Sequence, residues 1–346
     1  MQLVFFGTPE FAVPTLEALI AQKDINVLAA VTQPDRPAGR GQKLHSPPVK
    51  LICQKYNIPV FQPEKLSKAP EIIESLCALE PDIIVMVAFG QILKKDVLAI
   101  PKQGVINLHA SLLPAYRGAA PINWAIINGD TMTGITTMFT EAGLDTGPML
   151  LKEEIAIDIN MDSAQLSKLL ANRGAQLTIG TLEKLRTGAL KVEKQDDSKA
   201  TYAPLLSKAM GRINWSNSAI SIHNLVRGLI PWPLASTTFR DNPIKIWQTA
   251  LAGKEHTTVL HENMSAQEPG LITLLHKQLF VCCGDNSWLE VKEVQPANRS
   301  KLPALEWING LHLQSAEKLL ILIIDQIHFS YINSTHLIAN YKVNVR

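Results

Sequence analysis

Val105-Ile106-Asn107-Leu108-His109-Ala110-Ser111-Leu112-Leu113-Pro114 is the stretch on which the reading of this chain turns. It begins as a short apolar run and becomes polar where a strand would end. Asn107 and His109 stand two positions apart, so on a strand both side chains point to one face. A later glycine-flanked turn, Gly143-Leu144-Asp145-Thr146-Gly147, carries a carboxylate. An amide, an imidazole and a carboxylate meeting at strand ends make a sensible acyl-transfer site.

Outward from that stretch, short apolar runs alternate with longer helical patterns. Residues 3–6, 27–31 and 83–87 read as buried strands, and 10–21, 47–56 and 69–79 as helices between them. Such alternation predicts a parallel sheet covered on both faces. Residues 118–128 read as a helix, 135–140 as a strand and 164–185 as a long helix. Open sheets of this type bind ligands outside the carboxyl ends of their strands, and Asn107, His109 and Asp145 are expected just past such ends.

The character changes at residues 191–207, which are polar and charged without strong periodicity and read as an interdomain linker. Beyond them, 213–229 contains a helical pattern, and 244–250, 271–275, 279–282 and 289–294 read as short strands. Gly253, Gly270 and Gly284-Asp285-Asn286 separate these strands, a pattern that suggests a small β-barrel. With 346 residues, the chain exceeds the size at which single cores stop growing, about 250–300 residues. The expected division is a catalytic domain over 1–190, a linker over 191–207, a second domain over 208–318 and a tail over 319–346.

Charge is nearly balanced, 33 basic residues against 31 acidic, so any basic surface must be local. Cys53, Cys77, Cys282 and Cys283 show no CxxC spacing and read as reduced thiols of a cytoplasmic protein. The segment Met1-Gln2-Leu3-Val4-Phe5-Phe6-Gly7 lacks a positive n-region and reads as a first strand rather than a signal sequence. No metal is expected at His109, which has no nearby cysteine and no HxxxH or HxxE pattern. Residues 319–324 are uniformly apolar but far shorter than the ~20 residues of a membrane span. They read as an added strand, a docking segment or an altered terminus.

Gly7-Thr8-Pro9-Glu10-Phe11 carries one glycine where a dinucleotide fingerprint needs GxGxxG, so it reads as a plain strand-to-helix turn. Residues 33–48 form an irregular loop rich in Pro and Gly, with Arg36, Arg40, Lys43 and His45. Long loops in compact domains are often functional, and basic side chains can meet phosphates. Composition alone would favour a solvated connector. Trp232 and Trp247 read as core or domain packing rather than base-stacking platforms.

Together these residues resemble the folate-dependent formyltransferase family, and within it the methionyl-tRNA formyltransferases. The resemblance rests on Phe6-Gly7-Thr8-Pro9-Glu10-Phe11, the run from Thr32 to Gly41, Asn107 through Pro121, Gly134 through Gly147, Arg212-Ile213-Asn214-Trp215 and Pro231-Trp232-Pro233. It implies an α/β protein with a Rossmann-like formyltransferase domain, a mostly parallel sheet and an OB-like C-terminal β-barrel. It implies 10-formyltetrahydrofolate as donor, no metal, and methionyl initiator tRNA as acceptor, in a monomer without membrane attachment. The catalytic residues it implies are Asn107, His109 and Asp145. Folate contacts fall on Ser111, Leu112, Leu113 and Pro114, and on Gly90, Gln91, Ile92 and Leu93. tRNA contacts fall on Arg36, Arg40 and Lys43. Glu141, Asn214 and Leu229-Ile230 depart from the family pattern without touching the proposed triad. A formyltransferase acting on a small amine, such as glycinamide ribonucleotide or an amino sugar, would keep the triad but need neither the basic loop nor the second domain.

Overall fold

The computed structural model describes residues 1–38, 41, 43–263, 268–311 and 317–320. Its first part is built on a seven-stranded sheet. In spatial order the strands are Met149–Ala156, Met132–Phe139, Val105–His109, Ile83–Val87, Gln2–Gly7, Asn26–Val31 and Val60–Phe61. All neighbours pair in parallel except at Met132–Phe139, which runs against the strands on both its sides.

The two-residue side-chain period explains why the sheet is covered twice. Leu3, Phe5, Ile83, Val85, Ile106 and Leu108 belong to one core, and Val4, Phe6, Ile84 and Val105 to another. The Val13–Ile20 and Ser163–Arg186 helices cover the first face. Pro70–Ala78 contributes Leu76 to the second. The long helix starts at a capping box in which Asp162 and Gln165 satisfy each other's backbone N–H groups. The Met149–Ala156 strand was not expected. Its run Lys152-Glu153-Glu154 disguises an edge strand as a polar connection, the way natural edges are blunted.

Residues 33–48 differ from the irregular loop expected of them. Arg36–Ala38 pairs antiparallel with Lys43–His45, so the flanks form a hairpin. Its base is pinned by Asp35, whose carboxylate accepts from Gln62 Nε2 at 2.8 Å, from Lys50 Nζ at 2.8 and 2.9 Å, and from Ser46 Oγ at 3.2 Å. The Gln62 bond, then Lys50, holds this carboxyl below its usual range.

The second part is an antiparallel six-stranded sheet in the order Ala235–Phe239, Asn242–Leu251, Trp288–Pro296, Gln278–Cys282 and Ile272–Leu275, with Leu302–Pro303 paired to Trp288–Pro296. Residues 317–320 bridge its two edges, Lys318 to Leu271 and Leu320 to Thr238. That bridging is compatible with the expected barrel. Leu319 is buried and Leu320 half exposed at the start of the apolar run 319–324, while residues 321–346 lie outside the described residues. Trp215 is buried and donates to Thr237 Oγ1, whereas Trp232, expected in packing, is half exposed.

The Ala219–Gly228 helix joins the two parts. Asn123 Nδ2 donates to the Gly228 carbonyl at 2.7 Å, and Arg227 Nη1 donates to Met161 O at 3.0 Å. Among the described residues no helix is long and apolar enough to cross a membrane.

Candidate active site

Val105, Asn107 and His109 share one face of their strand. Val105 joins the core beneath that face, while the two polar residues continue it to the carboxyl end. Asn107 and His109 thus lie in the strand itself, not past its end as the sequence suggested, and are 7% and 6% exposed. No hydrogen-bond partner of the Asn107 side-chain amide is found among the described residues. Such a group is free to meet a ligand.

Asp145 comes to the same place from the loop that joins Met132–Phe139 to Met149–Ala156. Its Oδ2 lies 3.6 Å from His109 Nδ1 and accepts the Gly118 N–H at 2.9 Å. On the other side of the ring, His109 Nε2 lies 2.9 Å from the Tyr116 carbonyl oxygen, which can only accept. Both ring nitrogens therefore face oxygen atoms, which hold the ring from its two sides. Asp145 and Tyr116 both adopt the left-handed backbone conformation, with φ of 53° and 58°. Conformations of that kind persist where surrounding contacts over-determine them.

Those contacts come from residues 193–203. Gln195 Nε2 donates to the carbonyls of Asp145 and Gly147, at 2.7 Å each. Its Oε1 accepts from Arg117 Nε at 3.0 Å and Nη2 at 2.8 Å. Thr201 Oγ1 accepts the Tyr116 N–H at 2.8 Å, and the Thr201 carbonyl accepts the Arg117 N–H at 2.8 Å. A stretch whose sequence reads as a connector therefore forms one wall of the site. Gln195 and Thr201 escape a sequence reading because their roles rest on long-range contacts; Arg117 lies inside the stretch Asn107 through Pro121, but its partners Gln195 and Asp197 are equally distant in sequence.

The remaining candidates divide. Ser111 is fully buried, donating to the Ala115 carbonyl at 2.6 Å, and Leu113 packs with Met138 and Met149. Leu112 approaches Gly134 so closely that a Cβ there would strike it. The Ser111 and Leu113 side chains thus shape the loop, and Leu112 and Pro114 are its half-buried members. Gln91 accepts the Leu66 N–H at 2.8 Å and donates to Pro63 O at 3.2 Å, so its amide holds a neighbouring turn. Ile92 is exposed and Leu93 buried; with Lys94, Lys95, Asp96 and Ala142 they line an open cleft of about 480 Å³. Gly90 is exposed with φ of 82°. Arg36 is exposed and paired with Glu64 at 2.8 Å. Arg40 lies outside the described residues, as does the side chain of Lys43. No group of three or more His, Cys, Asp or Glu side chains suited to a metal occurs among the described residues.

Both parts of the chain match known proteins. Residues 1–182 match the family model described as formyl transferase, and 205–312 match formyl transferase, C-terminal domain. The methionyl-tRNA formyltransferase of Clostridium novyi is 49% identical over 311 residues, covering 90% of this chain and 97% of that one. The Geobacter sulfurreducens protein of the same name is 46% identical over 320 residues, covering 92% and 96%. Among solved structures, the sugar 3N-formyl transferase WlaRD superposes with a TM-score of 0.63 at 17% identity, covering 87% of this chain and 99% of that one. An N-formyltransferase from Helicobacter canadensis gives 0.63 at 18%, covering 85% and 98%. At such identities these structures speak for the fold alone. In both of its parts the chain belongs to the formyl transferase family, alongside relatives named methionyl-tRNA formyltransferase.

Proposed function

We propose that this protein transfers the formyl group of 10-formyltetrahydrofolate to the free amino group of methionyl initiator tRNA, with Asn107, His109 and Asp145 as its catalytic residues. The observation that carries the assignment is the approach of Asp145 to His109, with Asn107 on the same strand face, in a chain nearly half identical to proteins of that name.

Attack of the amine on the formyl carbon places negative charge on the formyl oxygen. The unengaged Asn107 amide supplies an N–H to that oxygen, the kind of donor whose removal typically costs about 10²–10³ in kcat. His109 keeps Nδ1 toward Asp145. Its Nε2, now spent on the Tyr116 carbonyl, is the nitrogen that exchanges partner when substrate enters. Catalytic hydrogen bonds often tighten only in the complex. His109 can hand its proton to the reacting centre or take one from the amine, and Asp145 keeps the ring oriented through either step.

The cleft lined by Ile92, Leu93, Lys94, Lys95 and Ala142 suits the donor. Its volume of about 480 Å³ falls within the range of small-molecule sites, and two exposed lysines complement the carboxylates of a folate tail. The hairpin bearing Arg36 and Lys43, with Arg40 between its strands in sequence, is the surface for the acceptor arm of the tRNA. We place the protein in the cytoplasm as a monomer.

The test is formyl transfer from 10-formyltetrahydrofolate to methionyl initiator tRNA, with His109→Ala and uncharged tRNA as controls. Transfer requiring both His109 and the esterified methionine supports the assignment. Donor binding without transfer to that tRNA would move the acceptor to a small amine.

A further inference from the structure

We infer that Gln195 is a positioning residue for the reaction, a clamp that sets the Asp145 carboxylate against His109 from within the segment joining the two parts of the chain. The inference rests on the catalytic reading of Asn107, His109 and Asp145 given above.

The geometry is that of a group with every polar atom committed. Gln195 is 4% exposed. Its two N–H bonds reach the carbonyls on either side of Thr146, those of Asp145 and Gly147. One amide thereby fixes the backbone on both flanks of a tight turn whose first residue sits at φ 53°. An amide can serve two acceptors and still accept a fork of donors, which neither a carboxylate nor an ammonium can do. Arg117 provides that fork. Its guanidinium is also buried, and its remaining charge is met by Asp197 at 2.7 Å, two residues beyond Gln195. The Arg117 side chain therefore aims the Gln195 amide, and the amide aims Asp145. The neighbouring Gly118 N–H binds Asp145 Oδ2 directly, so both the main chain and the carboxylate of Asp145 answer to the same local framework.

Two further contacts show that this segment belongs to the site. Glu193 pairs with Met149 through N–H···O bonds of 2.8 and 2.9 Å, extending the sheet edge. Tyr202–Ala203 pairs in parallel with Arg117–Gly118. Gln195 lies between these anchors, where its own position is fixed.

The experiment compares Gln195→Ala and Gln195→Glu with the parent in steady-state transfer to methionyl initiator tRNA. Asp145→Asn, His109→Ala and the Gln195→Ala/Asp145→Asn double variant are measured alongside. Gln195→Glu keeps the acceptor for Arg117 but sets carboxylate oxygens against two carbonyls, so it isolates the donor role while preserving the buried pairing. We expect kcat to fall about 10- to 100-fold in both Gln195 variants, as a displacement near 1 Å of a catalytic group would cause. KM for donor and charged tRNA should stay within about threefold. Because Gln195 acts through Asp145, the double variant should be no slower than Asp145→Asn alone. Undiminished kcat in Gln195→Glu, or an additive loss in the double variant, overturns the clamp while the triad stands. Undiminished kcat in Asp145→Asn and His109→Ala overturns the catalytic reading and the clamp with it.

Discussion

Nδ1 of His109 faces Oδ2 of Asp145 across 3.6 Å, just beyond a direct hydrogen bond, while Nε2 of the same ring is held by the Tyr116 carbonyl at 2.9 Å. The imidazole is thus gripped from both sides. The carboxylate lies on one side of the ring and the carbonyl on the other.

Replacing Asp145 by Asn keeps the shape and the Gly118 contact but removes the charge that His109 faces. We expect kcat to fall about 10²–10⁴-fold, the range of a lost acid–base contribution, with KM for donor changed little. Single-turnover transfer measures this directly, and near-normal turnover would remove Asp145 from the catalytic set.

Asn107→Ala deletes a side-chain amide that has no hydrogen-bond partner among the described residues. A kcat loss of about 10²–10³ is expected, with donor affinity retained because the interaction belongs to the transition state. Weaker donor binding with unchanged kcat would instead make Asn107 a ground-state contact.

A Cβ at Gly147 would collide with the Phe139 carbonyl oxygen. Backbone cannot yield as a side-chain end can, so Gly147→Ala should cost about 1–3 kcal/mol, as overpacking does. It should also disturb the adjacent Asp145 turn. Thermal melting reports the first effect and kcat the second; an unchanged melting temperature would show that the turn relaxes freely.

His223 is 2% exposed at the junction, with Nε2 donating to Ile159 O at 2.8 Å and Nδ1 meeting Thr249 Oγ1 at 2.9 Å. Burial, assisted by the nearby Arg227 charge, lowers its pKa from 6.5. A base depressed in the folded state takes up more protons when unfolded. Stability attributable to His223 is therefore intact above pH 6.5 and declines as pH falls toward the lower folded value. The gap in melting temperature between the parent and His223→Gln should narrow below that pH. A gap independent of pH would contradict the assignment.

Arg40→Ala should raise KM for charged tRNA and leave donor KM nearly unchanged, because a phosphate contact positions the acceptor without touching the chemistry. The rise should shrink with added salt. Unaltered tRNA kinetics would reduce the hairpin to a connector.

Periodicity and local chemistry make much of this protein legible in its sequence. The runs at 83–87 and 27–31 are buried on both sheet faces, so their apolar character admits few alternatives, and both became strands. The two-residue spacing of Asn107 and His109 determined that they share a face, since side-chain alternation is a local property of the strand. The glycines around Asp145 marked its turn for the same reason. What lay outside sequence reasoning is whatever depends on residues far apart in the chain. The charged edge strand Met149–Ala156 hides its period behind solvent-facing residues. The hairpin flanks around Arg36 are paired only across the loop. Above all, nothing local distinguishes Gln195 from any other polar residue of a connecting segment. Its meaning appears only when folding brings it beside Asp145, 50 residues away, and Arg117, 78 residues away. Periodicity selected the sheet and the shared face of Asn107 and His109; tertiary packing decided which distant groups hold Asp145 beside them.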